Sequence, residues 1–358
     1  PAVEGIDFSY GARVIPDRRP FFLEGRNIFR LWEFYHSRQI SEIDVGISLF
    51  GKVSHRTSAG ALGTFHQKGD YNLLLRTFHS SGAATNVGAA YIGHRDDSGM
   101  NSVAFLEGET RYRNLSAGAN LAQTWAEGLV GRQMRSQVAY QGSRLYVSIT
   151  PFFIEPDFVN RLGFHPFTGI RGSGAFAFAQ NEWRSGMLRR VQFSTRAGVS
   201  NRYDGEIFRR TVGASGYIQT HSDYALSLAW EGGRFEEYRD GWFNLSLRGR
   251  ASDQFTNYGI DYSWGRRADT PYRSLGVSGS LRVGSLTTGL RLHFVRHQKR
   301  NQQHILTFNY DFTPALSLGG RLIWQEPGRN IYFALRRSGY AGTDIYIIDG
   351  DPNAERFQ

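Results

Sequence analysis

The chain has no cysteine among its 358 residues. That excludes a disulfide framework and any thiolate metal site. It suits an oxidising periplasm, where free thiols are a liability. No stretch approaches the ~18 consecutive apolar residues that a membrane helix requires. No long block of like charges occurs, although the formal net charge is +10 and the isoelectric point is near 9.9. Dispersed positive charge argues against a basic nucleic-acid arm, so no nucleic-acid partner is expected. The chain has no nucleophile elbow, no His-Glu-x-x-His pair and no P-loop. It opens on Pro1 without methionine or signal peptide and stops at Gln358, after the polar run Asp349-Gly350-Asp351-Pro352-Asn353. Residues are therefore expected to be missing at both ends.

What is present is a period of two. Leu226, Leu228 and Trp230 alternate with Ser227, Ala229 and Glu231. Phe243, Leu245 and Leu247 alternate with Asn244, Ser246 and Arg248. Leu290, Leu292 and Phe294 alternate with Gly289, Arg291 and His293. Successive side chains on a strand point to opposite faces, so each segment has one apolar and one polar face. Segments of about ten residues repeat this way from near residue 43 to near residue 337, the signature of a transmembrane β-barrel. Candidates include 100–110, 111–124, 187–200, 222–232, 241–251, 273–283 and 329–337. There are about nineteen, and single-chain barrels favour even counts, so an all-β antiparallel barrel of about 16–20 strands is expected. A water-soluble fold of this length would usually split into two domains; a barrel need not, having no central apolar core to enlarge. Short and longer connections are expected to alternate, as turns and external loops do.

The polar faces carry arginine. An Arg facing lipid at mid-membrane costs ~2–4 kcal/mol, so Arg196, Arg248, Arg282, Arg291, Arg321 and Arg336 are expected to line the lumen. Glu231, Asp261 and Asp311 fall on lumen faces in smaller number. Two readings are open. The arginines could raise the local concentration of an anionic solute, or they could brace the wall by pairing with carboxylates; bracing is preferred. Tyr258, Trp264, Tyr310 and Trp324 near strand ends suit the interfacial aromatic girdle.

Two stretches break the period. Residues 1–40 hold Arg18, Arg19, Phe21, Phe22 and Glu24, then the aromatic run Ile28, Phe29, Leu31, Trp32, Phe34 and Tyr35. This segment is expected to plug or cover the barrel mouth, or to link it to an upstream domain. Arg18, Arg19 and Glu24 are expected to anchor it, the arginines by binding strand carboxylates. Residues 155–171 hold Asp157, Arg161 and His165. A loop of that length is expected to be functional or folded inward.

Three stretches resemble a known family. Pro16-Asp17-Arg18-Arg19-Pro20-Phe21-Phe22-Leu23-Glu24-Gly25 is similar to the opening motif of the outer-membrane barrel called domain of unknown function 5916. Phe34-Tyr35-His36-Ser37-Arg38-Gln39-Ile40 resembles the aromatic-Ser-Arg-Arg-Ile step that follows it. Pro156-Asp157-Phe158-Val159-Asn160-Arg161-Leu162-Gly163-Phe164 resembles its central loop. Elsewhere the likeness is one of pattern. The resemblance implies an upstream domain like carbohydrate-binding-module family nine, and one more closing strand after Gln358. It supplies no reaction, although some members are labelled hydrolases.

Candidate chemistry is sparse. His221-Ser222-Asp223 holds the three triad residue types, but neighbours on a strand or turn diverge, so a turn is expected. His94, Asp96 and Asp97 resemble an omptin-type Asp–His pair, but a solvated loop is the preferred reading. Asp349, Asp351 and Asn353 have the spacing that begins a calcium loop but lack its glycine and its late glutamate, so a polar turn or external loop is the preferred reading. His293 and His297 share a strand face but lie ~13 Å apart, too far to chelate one ion. No metal or cofactor is expected.

The chain therefore reads as a plug or linker segment over 1–40 followed by a bacterial outer-membrane barrel over 41–358. Its expected role is a pore, transport or export channel, with a carbohydrate or an anionic solute as the candidate cargo. The alternative is a plugged anchor or scaffold that presents a carbohydrate-binding domain or docks protein partners. An outer-membrane hydrolase is the third reading. Expected partners include outer-membrane lipid and lipopolysaccharide.

Overall fold

The computed structural model describes residues 19–29, 31, 33–40, 42–82, 84–325, 328–339 and 344–349. These form two compact units. The N-terminal unit takes residues up to 177 and 197–210; the C-terminal unit takes 178–196 and 211 onward.

The N-terminal unit begins with two single helical turns, α1 (Pro20–Leu23) and α2 (Arg26–Phe29), and a 3-10 turn over Ser37–Gln39. Then come β1 (Val45–Lys52), β2 (Thr57–Phe65), β3 (Tyr71–Ser80), β4 (Thr85–Asp96), β5 (Gly99–Tyr112), β6 (Leu115–Ala126), β7 (Leu129–Gln141) and β8 (Leu145–Ile154). Each pairs antiparallel with the next. The unit boundaries fall within β9 (Ile170–Glu182), β10 (Leu188–Arg202) and β11 (Ile207–Thr220).

The C-terminal unit continues with β12 (Tyr224–Phe235), β13 (Tyr238–Gly249), β14 (Asn257–Arg267), β15 (Thr270–Val283) and β16 (Leu286–His297). It ends with β17 (Lys299–Thr313), β18 (Leu316–Gln325), β19 (Gly328–Ser338) and β20 (Asp344–Asp349). These too pair antiparallel in sequence order. No described helix is long and apolar enough to cross a membrane.

Register turns the period of two into continuous faces. Leu228 lies opposite Leu245, which lies opposite Tyr262, which lies opposite Leu275. The outer row is exposed: Leu228 is 49 % and Ile260 50 % accessible. Val87, Leu106, Leu121 and Val138 form the same kind of exposed outer surface in the N-terminal unit. An apolar surface repeated across this many strands is stable only against hydrocarbon. Strand pairing also satisfies the backbone groups that lipid cannot. The fold class is all-β, a transmembrane antiparallel β-barrel. Tyr258, Trp264, Tyr310 and Trp324 fall on the outer face as expected, with Trp264 stacked on Phe243 and Tyr262 at 5.4 Å.

The described residues contain twenty strands, within the expected 16–20 and one more than the segments read from the alternation. The extra one, β20, is only six residues long, and its Ile345–Ile347 alternation is too short to stand out in sequence. Asp349 is the last residue of that strand, and Asp351 and Asn353 lie outside the described residues. The boundary expected between 110 and 111 falls at Arg113-Asn114, where Arg113 takes φ 53° in a two-residue turn. Connections do not alternate in length; two-residue turns occur at both ends of the strands. Glu127-Gly128 and Ala268-Asp269 have positive φ at both positions, the hairpin geometry that matches strand twist.

The absence of an internal apolar core does not hold either. On the inner face of β2–β6, Leu62, Leu74, Ile92, Val103 and Phe105 are almost fully buried. Their cover is the segment ahead of β1, together with the loop between β8 and β9.

Candidate functional site

The segment 19–40 is seated by side chains that close it on itself and by side chains that fix it to strands. Arg19 donates to the Ser37 and Ile40 carbonyls at 2.6 and 2.7 Å, and its guanidinium lies over the Phe22 ring. This ties the two ends of the segment together. On the strand side, Arg76 donates to the Ile28 carbonyl at 2.8 Å and pairs with Glu107. Glu33 accepts from Gln133 and lies 3.5 Å from the Arg135 guanidinium. Phe29 packs against Gly60, where an added Cβ would come within 2.6 Å of its ring.

Phe34 is the centre of the packing. It is 1 % accessible and meets Phe105 with centroids 4.5 Å apart, His165 at 5.4 Å and Phe158 at 6.4 Å. Leu31, Phe158 and Leu162 are buried beside it.

The connection between β8 and β9 folds inward over the same face. Its backbone lies flush on β7: a Cβ on Gly131 would sit 2.3 Å from the Asp157–Phe158 peptide. Asn101 brackets the loop, donating to the Val159 carbonyl at 2.8 Å and accepting from the Arg161 amide at 2.9 Å. Arg161 closes the arrangement as a latch, donating to Asp96 at 2.9 Å and pairing with Glu127. Loop and segment are joined directly. The His36 amide donates to the Leu162 carbonyl at 2.6 Å, and the Phe164 amide to the Glu33 carbonyl at 2.7 Å. Asn160 donates to the Phe34 carbonyl at 2.9 Å. They act as one lid.

His165 is buried within this lid. Burial pushes its pKa down to about 4, and the Arg135 guanidinium adds to the effect. Its Nε2 lies 3.3 Å from the Asn160 amide nitrogen, so the neutral ring is the acceptor there.

Below the lid, a cavity of about 570 Å³ is lined by Glu33, Phe34, Glu107, Glu109, Asn120 and Arg135 among others. Its walls carry both charge signs.

The residues singled out in sequence divide into two groups. Arg19, Phe21, Phe22, Arg161 and His165 are brought together in the lid; Phe21 packs over Gly46. Asp157 contributes backbone rather than its exposed side chain. Glu24 is exposed at the turn between α1 and α2. Arg18 lies outside the described residues.

The six arginines belong to the C-terminal unit. Arg196 pairs with Glu231, and Arg248 lies 3.8 Å from Asp261. Arg282 lies over Phe255 at 4.9 Å. Arg291 stands opposite Ser278 and Ile305, Arg321 opposite Thr307 and Tyr332, and Arg336 opposite Ser317. Their register puts these arginines on the polar face, together with Arg267. On that face arginines outnumber Glu231, Asp240, Asp261 and Asp311 among the described residues.

Sequence reasoning missed Glu33, Arg76, Glu107, Arg135 and Asn160. Arg76, Glu107 and Arg135 were visible as charged residues of the inner parity, the same signal that marked the other arginines. Asn160 stood in the central-loop stretch without a role, and Glu33 carried no signal.

The remaining candidates are structural. His94 Nε2 lies 3.1 Å from Asp96, and its Nδ1 lies 2.6 Å from Asn72. The pair therefore sits at the end of β4 rather than in a solvated loop, and its carboxylate is held by the Ser98 hydroxyl and by Arg161 of the β8–β9 loop. His221-Ser222-Asp223 is a turn in which Asp223 accepts from the Ser252 amide at 3.1 Å and from Gln219 at 2.9 Å. No group of three or more potential metal ligands occurs among the described residues.

No family model matches the chain, and no curated protein matches it. Among solved structures, two mutants of the Rh. blastica porin align at 10 % identity with a TM-score of 0.38. Both alignments cover 71 % of this chain, with 91 % and 90 % of the porin chains. A bacterial polysaccharide outer membrane secretin aligns at 12 % identity with a TM-score of 0.36, covering 83 % of this chain and 96 % of that one. Likeness at this level carries no argument beyond what the strands themselves show.

Proposed function

We propose that the chain is a gated conduit in a bacterial outer membrane, with residues 19–40 and the β8–β9 loop as the gate. The observation that carries this reading is the lid. It is built from segments outside the strand ladder and held by contacts that can be released while every strand pairing is kept. The guanidinium excess on the polar face of the C-terminal unit favours an anionic solute. The resemblance to domain of unknown function 5916 remains part of this proposal, and an acidic carbohydrate is the solute class it suggests.

A second reading has its own support. The lid core is almost fully buried, at Leu31, Phe34, Phe158 and Leu162, which suits a permanently closed anchor that presents an upstream domain or docks partners. Single-channel recording with a salt gradient separates the two. A conduit gives small or intermittent currents in the wild type and larger, anion-selective currents when the lid is weakened. Silence in a lid-released variant, with insertion confirmed, favours the anchor.

A further inference from the structure

The outer face of the C-terminal unit carries a row of arginines at one end of its strands. Arg273 on β15 stands directly opposite Arg296 on β16, and Arg296 directly opposite Arg300 on β17. Like charges placed opposite each other on neighbouring strands repel. All three side chains are exposed, and none has an ion pair or side-chain hydrogen bond among the described residues. The nearby carboxylates, Asp240 on the polar face of β13 and Asp269 in the β14–β15 turn, are engaged elsewhere. Asp240 accepts from the Ala268 amide at 2.7 Å, and Asp269 from the Arg239 amide at 3.3 Å. Arg266 and Arg329 lie on the same outer parity at the same ends of their strands, extending the row.

The row borders a groove of about 420 Å³ whose lining includes Tyr262, Leu275 and Phe294 as well as the three arginines. Its composition changes along the strand. Toward the strand middle the surface is hydrocarbon-facing Leu275 and Phe294; toward the strand end it is guanidinium. The stacked pair Tyr262–Trp264 lies alongside, as an interfacial girdle does. An amphiphile with an anionic head at the membrane boundary and chains in the hydrocarbon meets both parts. Guanidinium groups bind phosphate through paired N–H donors and hold their charge at any working pH.

We propose that Arg273, Arg296 and Arg300 form a headgroup site for an acidic glycerophospholipid. The phosphate sits among the three guanidinium groups, and an acyl chain lies along Leu275 and Phe294. The bound anion relieves the repulsion within the row. The inference rests on the membrane placement of the strands and is independent of whether the chain conducts.

The test uses the full chain purified in detergent and equilibrated with mixed micelles of phosphatidylglycerol and phosphatidylcholine in equal amounts. Retained lipid is then counted by native mass spectrometry. The wild type is expected to retain phosphatidylglycerol over phosphatidylcholine by about tenfold or more. The triple variant Arg273→Gln, Arg296→Gln, Arg300→Gln should lose that preference while keeping its heat-modifiable migration on gels, which reports an intact barrel. If the triple variant does not fold, the single variant Arg296→Gln, which removes the central charge, takes its place and should lower the preference. Equal retention of the two lipids by the wild type overturns the proposal, as does an unchanged preference in a folded variant. Two competition results also overturn it. Displacement by millimolar inorganic phosphate alone would mark a soluble-anion site, and preferential retention of added lipid A would mark a different lipid.

Discussion

Replacing Phe34 by alanine tests whether the lid is a separable body. Phe34 is 1 % accessible and touches rings from a strand, Phe105, and from the loop, Phe158 and His165. Truncating a buried phenylalanine typically costs about 3–5 kcal/mol through lost burial and the cavity left behind. Here most of that cost falls on lid docking, because the strands keep their ladder hydrogen bonds. A change of that size shifts the docked-to-released ratio by roughly two to four orders of magnitude. Polar tethers such as Asn160 to the Phe34 carbonyl survive the substitution and set the residual docking. Limited proteolysis of the protein in detergent reads the shift, since cleavage within 19–40 follows the released population when reclosing is fast. Cleavage should rise by a hundredfold or more on that arithmetic, with heat-modifiable migration preserved. A cleavage rate within about twofold of wild type would refute the reasoning, because docking would then not depend on this core.

Other consequences are equally direct. His165 has its pKa lowered from 6.5 to about 4, so protonation favours the released lid. The stabilisation is present above pH 6.5 and is lost as pH falls toward 4, to a limit of about 3 kcal/mol. Proteolysis of the lid should therefore accelerate over that window, and His165→Gln should flatten the profile. Gly131→Val places a side chain where the Asp157–Phe158 peptide now lies, so the loop must lift; hydrogen exchange at 157–162 should rise, and unchanged protection there would contradict the packing. Leu228→Arg puts a charge on the exposed outer face and should destabilise insertion into vesicles by about 2–4 kcal/mol, whereas Ala229→Arg on the opposite face should be far milder. Equal effects from the two would invert the face assignment.

How much was legible in advance follows from the range of the forces involved. The strands and their two faces were readable because alternation is a local property, set by which way each successive side chain points. Leu226, Leu228 and Trp230 needed no knowledge of distant residues. The same parity put Arg248 and Arg321 on the polar face. Even the turn at His221-Ser222-Asp223 could be read from neighbouring residues alone. β20 was missed because six residues are too few to establish a period.

The lid was another matter. Sequence marked residues 1–40 and 155–171 as breaks in the pattern, and tertiary structure decided that they belong together. Glu33 meets Gln133 one hundred residues away, and Asn160 reaches the Phe34 carbonyl across 126. Neither contact leaves a periodic trace. The apolar inner face of β2–β6 has the same origin: Val103 and Phe105 are buried there because a folded segment distant in sequence covers them. Short-range stereochemistry wrote the barrel strands into the sequence. The long-range packing that seats the lid, and decides which charges it holds, exists only in the folded chain.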